Sequence, residues 1–368
     1  MRWFLGLVLV VALIAGALYG VGEFLLPNAL TVSRSVTIAR PRVEVFAMGN
    51  DLRIAKEWSP FYALDPDADY SFSGEGPGAG QTMRWVSNNR DVGNGRMSIV
   101  NSTESQQIQS ILELNDRATL NSQMEFRQAN HQTTVVWQVT GECGPGWINV
   151  PCRYMNLVLR SKIDTLLSDG LRRLKTLAEQ LPNVDFEGYD ISEVSVDPQN
   201  VLFVDVTIAQ TAEATFADRQ SAEAAGISVL NNYVASQNGQ VHTSTDLVRV
   251  FPPPTENNGH YTFSIGYTFS GSPPSQLVGV RVGQTPGASA VRAMYVGPRS
   301  QIPMMYERIR AFMQSHRISP RDGADAWEIV HSVEAAPAPG TATASGSAPG
   351  TASVNDPIEH TEIFYPIG

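Results

Sequence analysis

Residues 153–181 read RYMNLVLRSKIDTLLSDGLRRLKTLAEQL and run into Pro182. Tyr154, Leu157, Val158, Ile163, Leu166, Leu167, Leu171, Leu174 and Leu177 recur at three- and four-residue intervals, the stripe of a long amphipathic helix. Pro182 ends it, because proline has no N–H to continue the hydrogen-bonded ladder. Six short segments with strand character precede this helix: DYSFSG (69–74), QTMRWVS (81–87), GRMSIVNST (95–103), QQIQSILEL (106–114), TLNSQMEFRQ (119–128) and TTVVWQVTG (133–141). Gly and Asn turns separate them, the pattern of an antiparallel meander. Before them, TVSRSVTI (31–38) alternates as a half-buried strand, and Val45, Phe46, Leu52 and Ile54 suit short helices. The sum is a helix-grip plan over residues 30–181. A curved antiparallel sheet wraps the long C-terminal helix and leaves an apolar cavity between them.

The second half has a different rhythm. Residues 182–197 are polar and acidic and read as a connector. A strand follows at VLFVDVTIAQ (201–210), then a helix over 212–236, then strands at 246–254, 261–269 and 277–283. Residues 289–295 form a further strand, 300–314 a helix, and AWEIVHSVE (326–334) and HTEIFYPI (360–367) two closing strands. Strand-helix-strand-strand therefore occurs twice, so 198–368 is expected to be a pseudo-twofold duplicated βαββ domain. The Ala-, Pro-, Gly- and Thr-rich insert 335–355 has nothing to bury and is expected to be disordered. The fold class is α+β.

The chain has 368 residues with 26 Lys+Arg against 36 Asp+Glu, a net charge of −10. Residues 31–181 are balanced; the whole excess lies beyond 181, where there is no Lys at all. A phosphate-backbone binder needs a basic footprint, so nucleic acid is excluded as a partner. From Trp3 to Gly22 there is no charge, enough for a helix across about 30 Å of hydrocarbon. Residues 1–26 are thus a transmembrane anchor or a signal segment, Ala15-Gly16-Ala17 fitting a cleavage site. As an anchor it makes a single-pass membrane protein with its N-terminus in the cytoplasm. In either case the bulk of the chain is placed outside the cytoplasm, in a periplasmic or extracellular space. Cys143 and Cys152 flank a Gly-Pro-Gly reversal; they are either a disulfide or two unrelated buried thiols. No CxxC, HxxxH or HxH spacing occurs, so neither a metal nor another cofactor is expected.

Several phrases of the first half carry a family likeness: FLLP (24–27), VSRSVTIARPRVEVF (32–46), EWSPF (57–61), FSGEGPGAGQTMRWVSN (72–88) and DVGNGRMSI (91–99). Together with the element order, they resemble the START-related (SRPBCC, polyketide cyclase-like) superfamily over about 27–181. That resemblance implies a cavity for a lipid or other hydrophobic molecule. In the second half AMYVGP (293–298), WEIV (327–330) and TEIFYPI (361–367) resemble the GyrI-like small-molecule-binding domain over about 199–368. The same domain serves as the effector-binding part of AraC-type regulators. Relatives often carry an aromatic after Gly-Pro where this chain has Arg299, which puts that side of the groove in question.

These resemblances direct attention to Glu328. It follows Trp327 in a strand, so the two point to opposite faces. The GyrI-like likeness implies a ligand-facing glutamate, able to hold an organic cation beside aromatic rings. The plainer alternative is a surface glutamate next to a buried tryptophan. Tyr295 is a second candidate for that groove. In the first domain Trp58, Trp85 and Trp137, with Phe61, are candidates to line a cavity or else to fill the core. Arg84 and Glu125 are possible inward polar groups. No GxSxG and no Cys–His pair is present, and Gly74–Gly80 precedes a strand, so it is a turn and not a phosphate loop.

The function expected is a membrane-anchored, exported small-molecule-binding protein. It would hold a hydrophobic ligand in the helix-grip cavity and an organic cation or amphiphile in the GyrI-like groove. The alternative is an enzyme, a hydrolase of strained or electrophilic molecules with Glu328 as general acid/base, its pKa raised by desolvation beside Trp327. A transcription co-regulator is disfavoured because no helix-turn-helix segment precedes the effector-like domain.

Overall fold

The computed structural model describes residues 2–115, 118–209, 216–237, 241–253, 259–271, 277–334 and 356–368. The chain divides into two compact units, Met1–Glu187 and Gly188–Gly368.

The first unit opens with helix α1 (Arg2–Phe24), of which Gly6–Phe24 is long and apolar enough to cross a membrane, a test that a signal sequence also passes. Strand β1 (Ala29–Ile38) follows, then three short helices, α2 (Arg42–Asn50), α3 (Leu52–Trp58) and α4 (Pro60–Leu64). Asp51 caps α3 by accepting from the Arg53 N–H at 2.9 Å, and Pro60 starts α4 with its fixed φ. Strands β2 (Asp69–Ser73), β3 (Thr82–Val86), β4 (Gly95–Thr103), β5 (Gln107–Leu114), β6 (Ala118–Ala129) and β7 (Gln132–Glu142) form the meander. The sheet order is β1-β7-β6-β5-β4-β3-β2, antiparallel throughout. Helix α5 (Val150–Ala178) closes the unit and buries Ile163, Leu167, Leu171 and Leu174. Gly170 lets it approach: a Cβ there would lie 2.8 Å from the Trp137 ring. Cys143 and Cys152 form a disulfide across the turn into α5, with Cα atoms 5.6 Å apart.

The second unit starts with β8 (Ile191–Val196) and β9 (Asn200–Ala209), followed by α6 (Phe216–Ser236), β10 (His242–Phe251) and β11 (His260–Ser270). Next come β12 (Arg281–Gln284), β13 (Ala288–Pro298), α7 (Ile302–Ser315), β14 (Ala326–Glu334) and β15 (Ile358–Pro366). Its eight strands run in the order β12-β9-β11-β10-β14-β15-β13-β8, again antiparallel. Residues 182–197 are therefore not all connector. Ile191, Val194 and Val196 are half-buried, and β8 pairs with β13, a short alternation obscured in the sequence by the acids around it. The insert expected to be disordered, 335–355, lies outside the described residues.

In the first unit, large apolar side chains cover the side of the sheet facing α5. Trp58, Trp85 and Trp137 join Ile38, Met48, Ile99, Phe126, Val135, Leu171 and Leu174 in one buried cluster. Glu44 of α2 is the acid buried close to this core. Its Oε1 accepts from the Val184 N–H at 3.4 Å, and its Oε2 has no partner among the described residues. Burial pushes its pKa up to about 8, against smaller opposing effects from that hydrogen bond and from Arg40. A folded-state pKa above the unfolded value means stability is complete below about pH 4.5 and is lost as pH rises toward 8. Wild-type protein should lose about 2–4 kcal/mol of first-unit stability between pH 5 and pH 8 through this group. Glu44→Gln should remove that part of the slope in urea unfolding at the two pH values; equal slopes in both proteins would refute it.

Candidate functional site

Strand β10 reads LVRVF over 247–251, and its central Arg249 is 2% exposed. A guanidinium taken out of water needs compensating carboxylates, and three surround it. Its Nε donates to Glu223 Oε1 of α6 at 2.9 Å. Its Nη1 donates to Glu328 Oε2 of β14 at 3.1 Å and to Glu359 Oε2 of β15 at 2.8 Å, and Nη2 donates to Glu359 Oε1 at 2.8 Å. Arg249 and Glu328 are direct cross-strand partners, so strand register sets their meeting. Arg299, just ahead of α7, pairs with the other oxygen of Glu223 and lies 3.6 Å from Glu359. The Tyr306 hydroxyl of α7 donates to Glu328 Oε1 at 3.1 Å.

This network floors a cleft of about 1090 Å³ bounded by α6, α7 and the sheet. Phe251, Phe263 and Tyr261 line it as a ladder of stacked rings, with centroids 5.4 and 6.3 Å apart along the series. Of this network Glu223, Glu328, Tyr306 and the two guanidiniums line the cleft and Glu359 does not; counted with Glu359, the network has three carboxylates against two guanidiniums, one negative charge over if every acid is ionised. Burial works against ionised Glu359, but the hydrogen bonds and charge of Arg249 outweigh it and hold its pKa low. Glu328 goes the other way. Burial raises its pKa, Arg249 only partly offsets that, and the charge of Glu359 adds to it. Burial pushes the Tyr306 phenol well up, so it stays a donor. Arg249 remains charged: burial opposes it, while Glu359, Glu223 and Glu328 more than compensate. Burial thus draws Glu328 toward its protonated form, whereas Arg249 holds Glu359 ionised.

The other expected site residues go elsewhere. Trp327 lies on the opposite face of the sheet, stacked on its cross-strand partner Phe364 with centroids 4.9 Å apart and planes 5° from parallel. It neither lines the cleft nor desolvates Glu328 directly. Tyr295 is in the core beneath α7, its hydroxyl donating to the Pro298 carbonyl at 2.6 Å. In the first unit Trp58 and Trp137 meet edge to face at 5.6 Å and Trp85 stacks on Phe61 at 4.8 Å. The Trp58 indole N–H donates to Met48 O and that of Trp137 to Ser122 Oγ. All three tryptophans are buried within the core cluster. Arg84 is exposed, and Glu125 pairs with Arg127 at 2.5 Å on the outer face. Nor is the cleft acidic overall: five arginines line it against five Asp and Glu, so the −10 of the second half is not gathered there.

Arg249, Glu223, Glu359 and Tyr306 escaped the sequence reading, and Arg299 entered it only as a departure from the GyrI-like pattern. A faint signal existed: Arg249 is a lone charge inside an apolar strand. Of its three acids Glu328 was singled out by the WEIV resemblance, while Glu223 of α6 and Glu359 of β15 had no local signature.

No protein-family model matches the chain, and no curated protein matches it. Some solved structures show partial likeness. A protein of unknown function from Staphylococcus aureus is 8% identical over 40% of this chain and 94% of its own, with a TM-score of 0.32. One from Chromobacterium violaceum is 13% identical over 42% and 99%, with a TM-score of 0.28. One from Mycobacterium smegmatis is 14% identical over 40% and 90%, also with 0.28. Likeness at this level carries no argument about fold or ligand.

The network makes a stability prediction. Arg249→Met leaves three buried carboxylates with too little positive charge and should cost the second unit about 3–5 kcal/mol at pH 7. The stranded acids then have folded pKa values above their unfolded ones, so part of the loss should return as pH falls from 7 toward 5. Thermal melts of wild type and variant across that range check both the size and the sign.

Proposed function

We propose that the chain is a membrane-anchored small-molecule-binding protein whose second unit takes an organic cation or cationic amphiphile. The observation that carries this is the buried Glu328 carboxyl lining an aromatic-walled cleft, in a network with one carboxylate more than its guanidiniums. Apolar rings would cover the body of the ligand, and its positive end would sit near Glu328. The strand order supports a likeness to the GyrI-like domain: β9-α6-β10-β11 and β13-α7-β14-β15 follow the same local plan, and their strands mirror one another about the β10/β14 pair. For the first unit the helix-grip order supports a START-related likeness, but its packed tryptophans give no ground for assigning a hydrophobic ligand there. Export of both units rests on α1 and is supported by the Cys143–Cys152 disulfide.

A second reading is favoured by one contact, the Tyr306 hydroxyl on Glu328. A carboxyl with a raised pKa beside a phenol is suited to general acid/base work on a strained or electrophilic substrate. The two readings share a residue but differ in outcome, binding without turnover or conversion.

Cation binding and protonation of Glu328 compete for the same charge. Rhodamine 6G affinity, followed by fluorescence polarisation, should therefore fall as pH drops from 8 to 5. Glu328→Gln should weaken binding at pH 8 about tenfold and flatten the pH profile. Equal affinity and an equal profile in the two proteins would sink the cation reading. Product formation detected by mass spectrometry and lost in Glu328→Gln would favour the enzyme.

A further inference from the structure

The first unit carries an apolar surface unrelated to any cleft. Trp147 and Ile148 stand 72% and 71% exposed in the loop that the Cys143–Cys152 disulfide closes. On the first turns of α5, Met155, Leu157 and Val158 are 55%, 50% and 61% exposed. Single exposed apolar residues need no explanation, but these five fall within one twelve-residue stretch, a loop and the helix start that follows it. Arg160 and Lys162, both exposed, follow directly along α5.

The position of this surface relative to α1 is restrained. Arg153 donates to the carbonyl oxygens of Gly22 and Glu23 and pairs with the Glu23 carboxylate at 3.0 Å. The Tyr154 hydroxyl donates to Leu18 O at 2.7 Å, and Tyr19 and Trp147 have ring centroids 6.5 Å apart. Only residues 25–28 separate α1 from β1. At about 3.3–3.6 Å per residue, such a tether spans only about 15 Å, so the unit cannot drift far from the end of α1.

We propose that the Trp147–Val158 face is a bilayer-contacting surface, with the Trp147-Ile148 loop set among the acyl chains and headgroups. This rests on α1 being a retained membrane span. Tryptophan at the interface, an apolar stripe beside it and basic residues just beyond form the pattern of a monotopic contact, with Arg160 and Lys162 reaching anionic headgroups. The arginine clamp on the end of α1 brings that face to the membrane surface whenever α1 spans it. The first unit is then seated on the lipid and not held away from it on a flexible stalk.

Spin labels on the full chain test this in liposomes of phosphatidylcholine with one-third phosphatidylglycerol. Single cysteines would be placed by Ile148→Cys, Val158→Cys, Leu9→Cys in α1 and Val100→Cys on β4, each exposed, with the native disulfide intact. Power saturation with oxygen and with a water-soluble nickel chelate should place the labels at 9, 148 and 158 in lipid and that at 100 in water. Labels at 148 and 158 that behave like 100 while 9 remains in lipid would overturn the docking surface alone. Shelter of 148 and 158 from both reagents would also overturn it, in favour of a protein contact. A water-exposed label at 9 would overturn the membrane span itself, and this proposal with it.

Discussion

A guanidinium buried in an apolar sheet face has to be neutralised by groups that can reach it, and Arg249 imposes that condition on the second unit. Its three carboxylates come from α6, β14 and β15, so meeting the requirement ties a helix to two strands beyond the one that carries the arginine. Arg299 brings in the start of α7. Desolvation makes such a network costly unless it is complete. The cleft above it is lined by part of this network, and Glu328 is what gives that lining a chemistry.

The first unit meets a different condition. A 29-residue helix on a seven-stranded sheet needs its apolar stripe covered, and large side chains do the covering. Trp58, Trp85 and Trp137 fill the space with paired rings. Gly170 allows α5 close to Trp137. A stripe of aromatics in sequence is compatible with a lined cavity and with a packed core alike. The difference lies in distances of a few ångströms, which composition does not contain.

Net charge shows the same gap between totals and places. The second half carries the whole excess of acid, but its cleft is balanced, five against five. Selectivity for a cation there depends on which of those charges are already satisfied. Arg249 is spent on three acids and Glu359 is held ionised by it, whereas burial leaves Glu328 able to take a proton. Two glutamates on neighbouring strands thus differ in behaviour because only one of them has both oxygens on the arginine.

Periodicity by itself determined most of the elements: the long helix from its leucine stripe, the meander from its alternation, and the apolar N-terminal helix from an uncharged run of twenty residues. These are local properties, and local spacing records them. Strand β8 was lost because six residues among acids carry little alternation, and the fate of Trp327 and Tyr295 depended on which sheet face the core took. Only the tertiary structure decided that Glu328 shares a buried network with Arg249, Glu223 and Glu359, residues up to 136 positions apart. Sheet register and helix packing set that meeting, and no single segment of the chain encodes them alone.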